Sequence, residues 1–217
     1  MSTATSVSTP RRQRLFVDAI SWREYERLGR MFQDRSLRIT YDRGMLEIMT
    51  KSAKHERWSE LLAYLVFALA DETRAEIASA GSMTFKRELK RRGLEPDKCF
   101  WIQNEAAVRG KMEFTLDDAP PPDLVLEVEI SRSLINRMGI YAKFGFPEIW
   151  RCNSRKLKVC QLVDGKYVES DTSRAFPFLR PAQLITFLND RATLGETALV
   201  REFRDWVRQQ IALGWPA

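Results

Sequence analysis

Residues 123–130 have the sequence DLVLEVEI, and the architecture expected for this protein follows from that segment. A short run dominated by Leu, Val and Ile predicts a buried β-strand. A helix is predicted from about Arg132 to Phe144, with Gly145 as its C-terminal stop, and a second strand follows from Pro147 to Cys152. Strand, helix and strand in this order form a βαβ unit, which predicts an α/β fold with a mixed central sheet flanked by helices.

The remaining sequence predicts further elements on both sides of this unit. Ser21 and Glu24 form a capping box that opens a helix running to about Gln33. Other helices are predicted over about 54–73, 104–111 and 181–189, with a last one capped by Thr193 and Glu196, and other strands over 37–41, 45–49, 77–80, 83–88, 99–103, 156–163 and 167–169. We expect a single domain over residues 15–217 after a flexible basic tail at 1–14.

The composition excludes several classes of protein. Hydrophobic residues make up 44% of the 217 residues, which excludes wholesale disorder, a fibrous repeat and a coiled coil. The net charge of +6 favours an acidic partner without naming one. Three cysteines without a CxxC pair argue against a disulfide framework and favour a reducing compartment. Because no segment has the apolar run of a signal peptide or a membrane span, we expect a cytoplasmic protein with no membrane partner.

The strand at 123–130 has one acidic face, because side chains alternate between the two faces of a strand. Asp123, Val125, Glu127 and Glu129 share that face. Two interpretations are open. The face is either the solvent-exposed side of a half-buried strand, or a set of buried carboxylates that needs a compensating cation.

Asp97 is the second candidate for such a cation site. It follows Pro96 just before the strand at 99–103, from which it could reach the face of Glu127. Hard oxygen ligands from two adjacent strands are typical of a Mg²⁺ site, although a lone Pro-Asp is more often a turn. Ser131 and Ser133, at the start of the next predicted helix, would suit an anion such as phosphate.

Taken together, these segments resemble a known group of proteins. They are LEIMT at 46–50, His55 with Glu56, GLEPD at 93–97, IQNE at 102–105, RGK at 109–111, PDLVLEV at 122–128, Tyr141 with Ala142, and GFPEIW at 145–150. The pattern is similar to the PD-(D/E)XK restriction-endonuclease-like superfamily, whose core order is αβββαβ, and more narrowly to the Uma-two family of putative restriction endonucleases. The resemblance spans roughly residues 20–208, and it implies an N-terminal helix and hairpin before the core and a hairpin with two helices after it.

The resemblance implies a metal-dependent phosphodiesterase. Asp97 and Glu127 would be the metal-binding carboxylates, with the backbone carbonyl of Val128 as a further ligand. The ion would be Mg²⁺, with Mn²⁺ as an alternative. Glu56 joins the candidates because superfamily members often carry a helical glutamate near the metal, and Asp123 joins them because it shares the acidic face.

The third catalytic element departs from the superfamily pattern. The position of the tripeptide lysine is Glu129, which could serve as a third or outer ligand. The family takes its lysine instead from the next helix, four residues before Tyr141, and this chain has Arg137 there. Since an arginine does not lose its proton at working pH, Arg137 could stabilise charge or orient water but could not act as a base.

A basic cluster precedes Asp97 and would lie near the same end of the sheet, where it could grip a DNA backbone. It consists of Lys86, Arg87, Lys90, Arg91 and Arg92. Two functions are therefore open: an endonuclease that hydrolyses DNA, or a catalytically silent protein of nuclease fold that binds DNA or supports an assembly. The resemblance also allows a homodimer, since nucleases of this class often dimerise to cut both strands.

Overall fold

The computed structural model of the protein describes residues 13–33, 35–81, 83–128, 133–153, 155–190 and 193–216. Within these ranges the helices are α1 (Trp22–Phe32), α2 (Ala53–Glu72), α3 (Glu105–Val108), α4 (Arg137–Phe144), α5 (Leu184–Asp190) and α6 (Glu196–Ala212). The strands are β1 (Arg14–Val17), β2 (Leu37–Asp42), β3 (Met45–Thr50), β4 (Ala78–Gly81), β5 (Phe85–Arg87), β6 (Arg92–Leu94), β7 (Lys98–Trp101), β8 (Leu124–Val128), β9 (Glu148–Cys152), β10 (Leu157–Val163) and β11 (Lys166–Ser170). None of the described helices is both long and apolar enough to span a bilayer.

A mixed sheet forms the centre of the molecule, as the sequence predicts. Its strands follow the order β11-β10-β9-β8-β7-β4. β8 and β9 are parallel, with Glu127 opposite Arg151, and α4 connects them. β7 runs antiparallel to β8, and Lys98 pairs with Leu126. This register brings the residue before β7 next to the C-terminal end of β8.

A second, antiparallel sheet lies beside the first in the described chain, in the order β1-β3-β2-β6-β5. The predicted hairpin of β2 and β3 is its centre, with Ile39 opposite Ile48. β1 and β6 are additions that the sequence did not predict. β6 falls within the basic stretch, where Tyr41 of β2 pairs with Gly93, and β6 leads directly to Glu95 and Asp97.

Both faces of the mixed sheet are covered, and this decides the environment of β8. Leu124, Leu126 and Val128 join the core under α2 and α6, while Val125 joins the core under α4. All five residues of β8 are buried, including Glu127. The solvent-exposed interpretation of its acidic face is therefore wrong for Asp123 and Glu127, because α4 and the second sheet cover that side.

Two helix starts differ from the sequence prediction. α4 begins at Arg137 rather than near Arg132, because the Asn136 side chain caps it by accepting a 3.0 Å hydrogen bond from the Gly139 N–H. Residues 129–132 lie outside the described residues. α6 begins at Glu196 with Gly195 as its N-cap. Thr193 does not cap it, because its hydroxyl donates to the Asp190 carbonyl of the preceding helix.

Candidate active site

Asp97 and Glu127 meet at the C-terminal end of β8. Asp97 stands one residue before β7, and the antiparallel register places it beside the last residues of β8. The Val128 N–H donates a 2.6 Å hydrogen bond to Asp97 Oδ2, which fixes the carboxylate against the end of the neighbouring strand. Both side chains are buried, each with 6% of its surface exposed. The structure thus brings together two acidic groups that are thirty residues apart in the chain.

Arg38 joins these two carboxylates. It projects from β2, in the second sheet, and its Nη2 contacts Asp97 Oδ1 while its Nη1 lies 3.6 Å from Glu127 Oε2. Only 5% of the residue is exposed. Sequence analysis missed Arg38. The available signal was its alternation with Thr40, since residues i and i+2 of a strand share a face and both of these are polar.

Arg137 binds Glu127 from the opposite side. As the first residue of α4 it places Nη2 2.6 Å from Glu127 Oε1 and donates to the Glu95 carbonyl at 2.7 Å. Its Nη1 donates to Thr40 Oγ1 at 2.5 Å. One turn further along α4, the Tyr141 hydroxyl donates to the same Glu127 oxygen. Arg137, the predicted counterpart of the family lysine, is therefore in direct contact with Glu127.

The ionisation of this group follows from burial and charge. Burial by itself raises the pKa of Glu127, but the charges of Arg137 and Arg38 and the hydrogen bond from Tyr141 outweigh it and lower the pKa. Burial opposes protonation of Arg137, yet the charge of Glu127 raises its pKa. Burial, together with Glu127, raises the pKa of Tyr141. Glu127 is thus a carboxylate, Arg137 a cation and Tyr141 a neutral hydrogen-bond donor.

His55 lies behind Asp97. It sits in the first turn of α2, which is capped by a 3.3 Å hydrogen bond from the His55 N–H to Ser52 Oγ. Its Nε2 is 3.2 Å from Asp97 Oδ2, and its Nδ1 is 3.5 Å from Glu56 Oε1. The candidate Glu56 therefore reaches Asp97 through this imidazole. From the sequence, His55 was only one of the residues that carry the resemblance, with no predicted contact to Asp97.

The other predicted acidic residues have different positions. Asp123 accepts hydrogen bonds from the backbone N–H groups of Ile102 and Asn104 and from the Asn104 side-chain amide, at 2.7, 2.9 and 2.6 Å. It stands at the other end of β8, about 13 Å along the strand from Glu127, and fixes the loop after β7. The structure does not bring Asp123 to the carboxylate pair. Glu129 lies outside the described residues.

The donor types suit a Mg²⁺ ion, since Asp97 and Glu127 offer hard oxygens at adjoining strand ends. In this arrangement, however, each of their four oxygens already has a partner. On Asp97, Arg38 contacts one oxygen and the Val128 N–H donates to the other. On Glu127, Arg38 lies next to one oxygen, while Arg137 and Tyr141 both donate to the other. The described residues contain no group of three or more His, Cys, Asp or Glu side chains that could hold a metal. The residue types fit an ion, and at least one guanidinium would have to leave for it.

Comparison with known proteins identifies the family. The model of the family Uma2, described as putative restriction endonuclease, matches residues 22–189, which is most of the chain. The chain belongs to the Uma2 family. Among solved structures, one that is similar is the crystal structure of a putative nuclease belonging to DUF820 from Anabaena variabilis ATCC 29413. It is 10% identical with a TM-score of 0.48, over 78% of this chain and 90% of that chain. No curated protein matches the sequence.

The Uma2 chain carries a further acidic residue close to this site. Glu47 on β3 is 3% exposed, and its Oε1 lies 2.8 Å from Arg14 Nη1 on β1. The Ser133 hydroxyl donates to its other oxygen. Ser133 was expected to meet an anion at the start of a helix. In the structure Ser133 lies four residues before the start of α4, and its hydroxyl already donates to the Glu47 carboxylate within the protein.

The basic cluster is mostly occupied by contacts within the Uma2 chain. Lys86 pairs with Glu26 at 2.8 Å, Arg87 donates to the Leu116 carbonyl at 2.7 Å, Arg92 pairs with Asp42 at 3.0 Å, and Lys90 donates to the Lys143 carbonyl. Lys143 is near the C-terminus of α4, and Arg137 is at its N-terminus. The eight residues of α4 span about 12 Å, so Lys90 is roughly one helix length from Glu127. Arg91, in a left-handed turn, is exposed.

Proposed function

We propose that this Uma2 protein is a Mg²⁺-dependent endonuclease that hydrolyses DNA phosphodiester bonds. The observation that supports it is the meeting of Asp97 and Glu127 at the ends of two adjacent strands, next to a cation from α4. Family membership supports a nuclease. The choice of Mg²⁺, with Mn²⁺ as an alternative, follows from the oxygen donors. DNA as substrate accords with the net charge of +6.

The roles of the side chains follow from their contacts. Asp97 and Glu127, with the Val128 carbonyl, would hold the ion, which when bound would supply a Lewis acid and lower the pKa of a water molecule. Arg137 remains protonated, so it would stabilise negative charge that develops on the phosphate. Tyr141 holds Glu127 in one orientation through its hydroxyl. Glu129 stays a predicted third or outer ligand.

A second function, that of a DNA-binding or assembly module without cleavage, is favoured by the neutralised charge of the two carboxylates. Arg38 and Arg137 neutralise the two carboxylates, and the resemblance predicts a lysine at the position of Arg137. A protein in which this arrangement is permanent would keep the fold and bind DNA without cutting it, as a DNA-binding or assembly module. A homodimer and a cytoplasmic location stay predictions from the sequence.

Cleavage of supercoiled plasmid separates the two functions. With Mg²⁺ or Mn²⁺, we expect the wild type to nick the plasmid and Glu127→Gln to fall to background, because the amide lacks the charge that holds the ion. Glu169→Gln is the matched control, since Glu169 is an exposed residue of the same sheet that pairs with Lys158. DNA binding without nicking in either metal would favour the silent DNA-binding module. Neither binding nor nicking would contradict the nuclease and the DNA-binding module and would leave only the assembly role.

A further inference from the structure

Arg38 occupies an unusual position for a buried cation. Its guanidinium lies between the two carboxylates proposed to hold the metal and contacts one oxygen of each. Arg137 differs, because it contacts Glu127 but is also held by the Thr40 hydroxyl and the Glu95 carbonyl. Arg38 is thus the residue that joins Asp97 to Glu127, and it comes from a different sheet.

The charges of the site balance without a metal. Two carboxylates and two guanidinium groups sum to zero, and all four side chains are buried or nearly so. A divalent ion bound to the same oxygens at about 2.0–2.1 Å would lie within a few ångströms of the Arg38 guanidinium. Repulsion between the two cations in a buried site is large. An ion bound to Asp97 Oδ1 and Glu127 Oε2 therefore competes with the guanidinium of Arg38, which contacts the same two oxygens.

We propose that Arg38 is the resident cation of this site and competes with the divalent metal for Asp97 and Glu127. This inference rests on the proposed function, since it concerns the metal of the same site. Arg38 holds the carboxylates in the metal-free protein, and its guanidinium must leave the oxygens that the ion takes. The affinity for the metal is consequently set by Arg38 as much as by the carboxylates, which makes it a positioning residue that no ligand motif includes.

Binding of Mn²⁺ in solution tests the competition without any cleavage measurement. Arg38→Met keeps the unbranched apolar part of the side chain but removes the guanidinium and its charge, which leaves the two carboxylates and Arg137 with a net charge of −1. We expect the variant to bind Mn²⁺ at least about tenfold more tightly than the wild type, measured by calorimetry or by the loss of the free-ion EPR signal. Arg109→Met is the matched control, because Arg109 pairs with Glu105 on the surface, and it should bind like the wild type.

The outcomes distinguish this inference from the proposed function. Tight binding in Arg38→Met that is lost on adding Glu127→Gln supports the competition. Equal affinity in Arg38→Met and the wild type overturns the role of Arg38 and leaves the metal-dependent nuclease standing. If neither the wild type nor Arg38→Met binds Mn²⁺, both proposals are overturned. Both are also overturned if the variant with Arg38→Met and Glu127→Gln together still binds Mn²⁺, because the ion would then bind at a different site.

A measurement on the wild type covers the case in which Arg38→Met does not fold. Arg38 is 5% exposed, so phenylglyoxal, which modifies accessible arginines, should label it slowly. Saturating Mn²⁺ should accelerate that labelling severalfold, as read from peptide masses, while the labelling of Arg109 should not change. Unchanged labelling of Arg38 in a protein that binds Mn²⁺ would overturn the proposal.

Discussion

In the proposed nuclease, Arg137 is the residue that would stabilise negative charge on the phosphate. Its guanidinium contacts Glu127, Thr40 and the Glu95 carbonyl, so several hydrogen bonds fix it in place. The pKa of Arg137 is raised by Glu127 in spite of burial, and the group cannot give up a proton. A lysine in the same place could keep one contact with Glu127 and could lose its proton more readily.

Arg137→Lys is therefore expected to raise the rate of plasmid cleavage, by about tenfold or more if proton transfer limits the wild type. The measurement is the initial nicking rate in Mg²⁺ over a range of pH. Arg137→Met, which removes the cation altogether, should nick more slowly than the wild type. An unchanged or lower rate in Arg137→Lys would mean that Arg137 does not stand in for the lysine of the family.

At the level of elements, the pairing of β2 with β6 determines whether the cations reach the carboxylates. β2 carries Arg38, and β6 leads to Asp97 within three residues. Where the strands pair, Gly93 lies under the ring of Tyr25, which stacks on Tyr41 with 4.7 Å between the ring centroids. The absence of a side chain at Gly93 is what allows α1 to pack on this sheet.

Gly93→Ala is expected to destabilise the protein by about 1–3 kcal/mol, because overpacking a close contact forces side chains or backbone to shift. The new Cβ would lie 2.0 Å from the Tyr25 hydroxyl oxygen and 2.6 Å from its Cζ atom. Gly29→Ala is the control, since nothing lies within 4 Å of a Cβ built at Gly29. Alanine in place of glycine within α1 should stabilise the protein by roughly 0.5–1 kcal/mol. Urea unfolding measures both, and equal stability of the two variants would refute the close contact.

At the scale of the whole molecule, the candidate active site is also where the two sheets are joined. Glu127 belongs to the mixed sheet, Arg38 to the antiparallel sheet and Arg137 to the connecting helix α4. Glu127 is ionised because its pKa is lowered. Because Glu127 pairs with a cation from the antiparallel sheet and a cation from α4, the packing of both elements against the mixed sheet depends on the charge of Glu127.

Glu127 should therefore contribute stability that depends on pH. Its pKa in the folded protein is lower than in the unfolded chain, where it is about 4.3, so its contribution is fully present above that pH and is lost as the pH falls through the folded pKa. Near pH 7, Glu127→Gln should cost about 3–5 kcal/mol, because it removes the carboxylate that pairs with the buried guanidinium of Arg137.

Urea unfolding of the wild type and Glu127→Gln from pH 7 to pH 3 measures this contribution. The difference in unfolding free energy between the two proteins should shrink below about pH 4. Burial raises the pKa of two other carboxyls, Glu95 and Glu148. Since both proteins contain them, their contribution to the pH dependence of the unfolding free energy cancels in this difference. A difference that stays constant over this range would contradict the ion pairing of Glu127.

The sequence by itself determined most of the elements, though not β1 and β6, and it identified the two acidic residues as candidates. Helical and alternating patterns are local, so they predicted α1, α2 and the β2–β3 hairpin, and they predicted the βαβ unit of β8, α4 and β9. The quoted motifs also identified the family. Asp97 and Glu127 were found because they sit at fixed places relative to those strands.

Only the tertiary structure decided what surrounds the carboxylates. Arg38 and His55 reach Asp97 from β2 and α2. Their local signals, the alternation of Arg38 with Thr40 and the pair of His55 with Glu56, do not indicate a contact with Asp97. Asp123 has the same alternation as Glu127 but binds the backbone of a loop instead. The physical reason is that burial and charge pairing depend on which elements pack over a residue, and that packing joins segments far apart in the chain.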